Sequence, residues 1–204
     1  RLDNNNSEAL YLMGRCRLER GQFDEAAQAL SDAADNEPQN TDIWYYLGEA
    51  RYEQGDYPAA EVAYRQITLI DPTNLGGWSN LAATLGAQSK WAEAESATQK
   101  AIVLDPNREE PRITLAAQLG AQGKYTESED AALQALKLTS RPNLSWRTWY
   151  IIAKNREMRG QDARRILDAY SRMSTAIESD RRRADNWESR LHDSSRQAVM
   201  LQEA

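Results

Sequence analysis

The sequence predicts an all-α solenoid of stacked helical hairpins, and three observations carry that prediction. The phrase LAATLGAQSKW, opening at Leu81, returns 34 residues later at Leu115 as LAAQLGAQGKY, with eight of its eleven letters unchanged. Set in 34-residue blocks, the chain repeats two apolar stripes, positions 4, 7 and 11 on one helical face and positions 17, 20, 24 and 27 on another. Turn formers and breakers punctuate them: Gly21, Gly55, Ser89 and Gly123 between the stripes, then Pro38, Pro72 and Pro106, with Ser140 in the fourth block. A hairpin of two such short helices cannot bury both its faces, so neighbouring blocks must stack.

Residues 1–6, RLDNNN, align with the block endings LIDPTN (69–74) and VLDPNR (103–108), and read either as the tail of a preceding repeat or as a polar lead-in. Repeats 1 to 4 are expected at 7–40, 41–74, 75–108 and 109–142. In each, a small residue at position 8 (Gly14, Gly48, Ala82, Ala116) and at position 20 (Ala26, Ala60, Ala94, Ser128) lets the two helices approach closely. Position 17 holds a ring, Phe23, Tyr57, Trp91 or Tyr125, and position 7 an apolar residue, Met13, Leu47, Leu81 or Leu115. This pattern resembles the tetratricopeptide repeat (TPR) family, with Trp44, Leu47, Gly48, Gly55, Tyr57, Ala60, Tyr64 and Pro72 at its signature places in repeat 2. The resemblance implies a right-handed superhelical solenoid of helix-turn-helix hairpins whose first helices line a concave groove. It speaks to fold more than to function.

Trp149, Ile152, Ala153 and Gly160 repeat the spacing of Trp44, Leu47, Gly48 and Gly55 three residues late, which predicts a degenerate fifth repeat at 146–178. Its second helix departs from the pattern, with Asp162 where a ring is expected and Arg165 where a small residue is expected. From Gln161 to Ala204 there is no Gly or Pro. Apolar stripes run through Ala163, Ile166, Leu167, Tyr170, Met173 and Ile177, then through Ala184, Trp187, Leu191, Ala198 and Leu201. They predict a C-terminal capping helix at 179–204, either continuous with the helix before it or broken from it near Ser179 to Asp185.

Catalytic groups are scarce. Cys16 lies in the apolar phrase LYLMGRCRL as a packing residue or plain thiol, and a single Cys with a single His, His192, cannot build a zinc site of the usual kind. The Gly residues sit one per turn rather than in a phosphate loop, and Glu109 with Glu110 opens a helix, where acids favour its positive end. No enzyme activity, metal or cofactor is expected within these residues. The net charge of −6 hides a gradient, −4 in each of 7–40 and 41–74 against +3 over 143–204. Arg164, Arg165, Arg172 and the Arg run at 181–183 read as a solvated helix face, not a nucleic-acid site, because the array itself is acidic. No apolar run approaches the roughly 20 residues of a membrane helix, so no direct membrane insertion is expected.

What remains is a binding surface. By the resemblance, positions 2, 5, 9, 12 and 13 of each first helix line the groove. Repeats 1 and 2 place Glu8, Tyr11, Arg15, Leu18, Glu19 and Asp42, Tyr45, Glu49, Tyr52, Glu53 there, an acidic and aromatic set. Repeats 3 and 4 place Gly76, Ser79, Ala83, Gly86, Ala87 and Glu110, Ile113, Ala117, Gly120, Ala121, which is nearly featureless. Gly costs about 1 kcal/mol relative to Ala inside a helix, so Gly86 and Gly120 are expected to leave a hollow where a partner approaches the backbone. Family members that hold acidic chaperone tails use a basic clamp. Its places are Tyr11, Arg15, Tyr46, Gly76 and Asn80 here, so no chaperone-tail binding is expected. Asn80 is expected to hydrogen-bond a bound main chain, although Tyr46 and Thr114 break any asparagine ladder.

The expected function is a scaffold or adaptor holding a peptide or helix of a partner protein rich in basic and apolar residues. Two alternatives stand beside it: a regulatory or substrate-positioning array of a larger enzyme, and a self-assembling scaffold, hence a homo-oligomer.

Overall fold

A computed structural model describes the backbone of residues 4–139 and 145–202 and the side chains of 7–139 and 145–182. The described residues are helical, in the order α1 (Asn4–Glu19), α2 (Phe23–Asn36), α3 (Thr41–Glu53), α4 (Tyr57–Ile70), α5 (Leu75–Ala87), α6 (Trp91–Leu104), α7 (Glu110–Ala121), α8 (Tyr125–Leu138), α9 (Trp146–Met158) and α10 (Ala163–Gln202). They form two compact units, Arg1–Gln118 and Leu119–Ala204.

In the first unit each block is a hairpin, α1 on α2, α3 on α4 and α5 on α6, and each second helix packs on the next first helix, α2 on α3 and α4 on α5. Local signals set the boundaries. Asn40, Asp56 and Asn74 cap α3, α4 and α5, each side chain accepting a hydrogen bond from a backbone N–H in the first turn. The turn between paired helices needs a left-handed residue, supplied by Gly55 at φ 80° and, in repeat 3, by Ser89 at φ 59°.

Close packing within a hairpin is a trade between block positions 8 and 24. A Cβ on Gly48 would stand 2.6 Å from the Tyr64 ring, and one on Gly14 would stand 2.5 Å from Leu30 Cγ. Where position 24 shrinks to Thr98, position 8 grows to Ala82, which is fully buried.

Two devices that the pattern did not announce stitch the blocks together. Trp44 and Trp78 donate their indole N–H to the carbonyls of Pro38 and Pro72 at 2.8 and 2.9 Å, and Arg112 reaches Pro106 O at 2.7 Å. Those prolines therefore accept the next repeat as well as ending a helix. Glu61, buried on α4, accepts from Arg65, Lys90 Nζ and Gln88 Nε2, each at 2.7 Å.

The second unit stacks α8 on α9 and α9 on α10 around Ala131, Ala132, Ala135, Ile152, Ala153, Ala169 and Ala176. Glu129 on α8 stands in the register of Glu61 and holds Arg156 at 2.7 Å and Arg159 at 2.9 Å. The α10 helix runs unbroken from Ala163 to Gln202, so the line drawn between a fifth repeat and a cap falls inside one helix. It begins one residue past the expected register, which puts Ile166 instead of Arg165 on the packed side. The second C-terminal stripe, Arg183 and His192 lie outside the described side chains.

Candidate functional site: the first-helix face

Residues spaced by one and two helical turns share a face, so positions 2, 5, 9, 12 and 13 of a first helix form one stripe. Every position of that stripe on α1, α3, α5 and α7 is exposed or half-exposed. What differs is what each stripe carries.

On α1 and α3 the face is a chain of rings. The Arg15 guanidinium lies 5.5 Å from the centre of the Tyr11 ring and 4.9 Å from that of Tyr46. Tyr11 meets Tyr46 edge-on at 5.7 Å, Tyr46 meets Tyr45 at 5.2 Å and Tyr45 meets the buried Tyr64 at 6.5 Å, an arrangement that aromatic quadrupoles favour. Arg15 Nε is buried without a hydrogen-bond partner. A cleft lined by Ser7, Glu8, Tyr11, Leu12, Glu37, Asn40 and Ile43 opens beside Tyr11.

One turn further along α3, Glu49 and Glu53 lie four residues apart between Tyr45, which is 37% exposed, and Tyr52. Burial raises the Glu49 pKa, and the Glu53 charge raises it further. Neither carboxylate forms an ion pair among the described residues. Burial, then Tyr57 and Glu53, also raise Tyr52, whose ring rests edge-on against Tyr57 at 5.2 Å. Burial first, with Glu49 next, pushes Tyr64 far above the ordinary phenol range.

The contrast with Glu61 is direct. Burial pushes that carboxyl up as well, but hydrogen bonds from Lys90, Arg65 and Gln88 outweigh it and hold the pKa down to about 2. Cations compensate one acid, while the acids of the α3 stripe stand open.

On α5 the stripe is bare. Asn80 is half-exposed, and its side chain makes no hydrogen bond among the described residues; Ala83 is half-exposed as well. A Cβ on Gly86 would rest 3.5 Å from Cγ of Gln118, an ordinary contact. Gln118 itself is buried, donates to Ala82 O at 3.0 Å and accepts from Thr98 Oγ1 at 3.1 Å. Ala117 on α7 is exposed.

The second unit repeats this arrangement around Gly120. A Cβ there would come within 3.2 Å of Ser128 Oγ and 3.3 Å of Asn155 Oδ1, and Asn155 Nδ2 donates to Ser128 Oγ at 2.7 Å. Each glycine thus lies against a buried amide at block position 10 of the following first helix. Reading block columns for glycine alone misses those amides. The signal that could have found them is polar residues, Gln118 and Asn155, in a column held by Ala50 in repeat 2.

The arginines of the second unit are largely engaged. A cleft lined by Arg156, Arg159, Arg164, Arg165, Glu129, Asp130 and Asp168 mixes both signs, with Glu129 holding two of its arginines and Asp168 holding Arg172 at 3.0 Å. Cys16 is an exposed free thiol. Among the described residues no group of three or more His, Cys, Asp or Glu could hold a metal ion, and no helix is long and apolar enough to cross a membrane.

Solved structures share this fold. The MamA protein superposes with a TM-score of 0.70 at 18% identity, covering 90% of this chain and 96% of that one. A MamA chain running from residue 41 to the end, from Desulfovibrio magneticus RS-1, gives 0.71 at 16%, covering 87% and 97%. TTC0263, a thermophilic TPR protein of Thermus thermophilus, gives 0.68 at 18%, covering 84% and 90%. At such identities the likeness shows a common fold, the TPR solenoid, and nothing of function. No curated protein matches the sequence. A family model described as the cilia and flagella-associated protein 70 C-terminal domain matches residues 2–189. The repeats, the inter-block packing and that match lead to one conclusion: the chain is a tetratricopeptide-repeat protein and belongs to the family of the cilia and flagella-associated protein 70 C-terminal domain.

Proposed function

We propose that the chain is a non-catalytic protein-interaction scaffold whose first-helix face binds a peptide or helix carrying Lys or Arg beside apolar residues. One observation carries this reading: Glu49 and Glu53 form a like-charged pair one helical turn apart, flanked by Tyr45 and Tyr52, with no cation of the described residues on them. A like-charged pair at that spacing costs a helix roughly 0.2–0.5 kcal/mol, and an incoming ammonium or guanidinium turns that cost into attraction. The tyrosine rings offer apolar area and cation–π contact at small entropic cost. Arg15 lies against the rings of both Tyr11 and Tyr46 and does not act as a clamp for acidic tails. Asn80, Ala83, Gly86 and Ala117 extend the same surface as its low-relief part; Gly120 does not leave the expected hollow, because Ser128 and Asn155 fill the space beside it.

Selection from a random-peptide display library against the folded chain tests the proposal. Enrichment of Lys or Arg next to Leu, Phe or Trp is expected. Binding should weaken roughly tenfold in the Glu49→Gln, Glu53→Gln variant and fall as salt screens the charges. Enrichment of acidic peptides, or affinity unchanged in that variant, would overturn it.

A further inference from the structure

One junction of the fold is built twice, and only one of the two is closed. In the first unit it lies where the opening turns of α4 and α6 meet the end of α5. Glu61 of α4 accepts from Gln88 and from Lys90, each at 2.7 Å. Arg65 binds Glu61 on its own helix and crosses to Glu93 of α6. Each charged group of this network thus meets an opposite charge.

The second unit repeats the junction with α8, α9 and α10. Glu129 stands in the register of Glu61, and Arg159, the C-cap of α9, takes the place that Gln88 holds as the C-cap of α5. The crossing pair is gone. Leu133 occupies the place of Arg65, and the one-residue slip of α10 brings Arg165 to the place of Glu93. Where an ion pair tied two helices together, an aliphatic side chain and a cation now line a cleft of about 590 Å³.

Charge in that cleft does not balance. Glu129 holds Arg156 and Arg159, and Asp168 is taken up by Arg172. Arg164 and Arg165 are exposed, and their side chains form no hydrogen bond or ion pair among the described residues; Asp130 has no partner there either. With Arg172 included, five arginines stand against three acids, a surplus of two positive charges. Hydrogen-bond donors are in surplus as well. Arg156, whose side chain is only 15% exposed, uses Nε on Glu129 and Nη1 on Arg165 O, which leaves Nη2 over. Thr126 adds an exposed hydroxyl to the lining, on a helix whose start no side chain caps.

We propose that this cleft binds a phosphate monoester, carried by a modified side chain of a partner or by a small molecule. Its dianion matches the surplus of charge, and its terminal oxygens accept forked hydrogen bonds from Arg164 and Arg165 and from the unused donors of Arg156. The bound group supplies the negative charge that Glu93 supplies in the first unit, and Leu133 gives apolar contact to whatever carries it. A lone carboxylate or a phosphodiester brings one charge and leaves part of the surplus standing. The site belongs to the second unit and takes a ligand of opposite sign to that of the α3 face, so the two readings stand or fall separately.

Isothermal titration calorimetry of the folded chain at constant ionic strength tests this with three probes: inorganic phosphate, O-phosphothreonine and an alanine-based peptide carrying one phosphothreonine. All three should bind, and the peptide with unmodified threonine should not. A phosphopeptide at least about tenfold tighter than inorganic phosphate assigns the group to a partner protein, and equal affinities assign it to a small phosphate; either result upholds the cleft. Arg164→Gln with Arg165→Gln, both at exposed positions, should weaken binding at least about tenfold. Leu133→Arg with Arg165→Glu rebuilds the crossing pair of the first unit, and should abolish binding while the urea midpoint holds or rises. The proposal is lost if no phosphate probe binds the wild type, or if the double glutamine variant keeps full affinity. Equal affinity for a glutamate version of the peptide, or for a dinucleotide diester, defeats it too, because the cleft then answers to negative charge of any kind.

Discussion

The α3 and α5 helices have the same length, pack on the same kind of partner and present the same block positions, yet their open faces differ in kind. The α3 stripe carries Asp42, Tyr45, Glu49, Tyr52 and Glu53; the α5 stripe carries Gly76, Ser79, Ala83, Gly86 and Ala87. Their buried faces, by contrast, do the same job, Ile43, Leu47 and Ala50 against Gly77, Leu81 and Thr84, with Ile67 of α4 filling the space beside Gly77. The stacking interface therefore tolerates variation only within a fixed volume, while the open face is free to take on any chemistry. In a solenoid, then, function is sought on the face the stack leaves unconstrained.

Glycine gives the sharpest way to break that comparison, because Gly48 on α3 faces inward and Gly86 on α5 does not. Gly48→Ala puts a methyl 2.6 Å from the Tyr64 ring. We expect a loss of about 2 kcal/mol, read as a lower urea midpoint with unchanged slope, in line with the cost of overpacking a filled core. Rescue by Tyr64→Thr in the same chain, which imitates the Ala82 and Thr98 pairing, separates a volume effect from a general weakness of α3.

Glu61 comes next in size. Glu61→Ala should cost about 1.5 kcal/mol, less than a fully buried pair because Lys90 and Arg65 are 42% and 44% exposed and regain water when released. Its folded pKa of about 2 lies below the ordinary value of 4.5, so its stabilisation is full above 4.5 and is lost as pH falls toward 2. Urea midpoints taken from pH 7 downward should therefore converge for wild type and variant. Curves that stay parallel would mean the carboxylate contributes nothing through its charge.

Ser89→Gly follows, with the opposite sign. Ser89 holds φ 59° where the other repeats use Gly, and relieving a left-handed non-glycine residue should stabilise by about 1 kcal/mol. Gly86→Ala should add roughly 0.5–1 kcal/mol, because the new methyl finds only ordinary contact with Gln118. Weakened ligand binding in that stabilised variant would show that the partner uses the α5 face; unchanged binding would confine the site to α1 and α3.

The buried side of this design was legible in the sequence because stacking imposes a period: a column that must stay small, such as Gly14, Gly48, Ala82 and Ala116, repeats in every block and betrays itself. Hydrogen bonds to single atoms leave no such trace. Nothing in the pattern distinguishes Pro38 as a helix stop from Pro38 as an acceptor for the Trp44 indole, or reveals that Gln118 reaches back to Ala82 O. The open stripe was readable as a set of residues because exposure follows from the same period that fixes burial. Its electrostatic character was not, since Glu49 and Glu61 look alike until the positions of Lys90 and Arg65 are known.

That last distinction yields the smallest expected effect. Glu49 has its pKa raised above the ordinary value by burial and by Glu53, so the folded state favours the protonated form. Its contribution to stability is full below the unfolded pKa and is lost as pH rises through the raised folded one, the reverse of Glu61. At neutral pH, where the charge is present and uncompensated, Glu49→Gln should stabilise the free protein by about 0.3 kcal/mol, the scale of a like-charge pair one turn apart. On acidification the wild type should close that gap as Glu49 takes up its proton. The same substitution should weaken a cationic peptide, so stability and affinity move in opposite directions. A Glu49→Gln variant that lost both would place Glu49 with Glu61, as a residue holding the stack and not one facing a ligand.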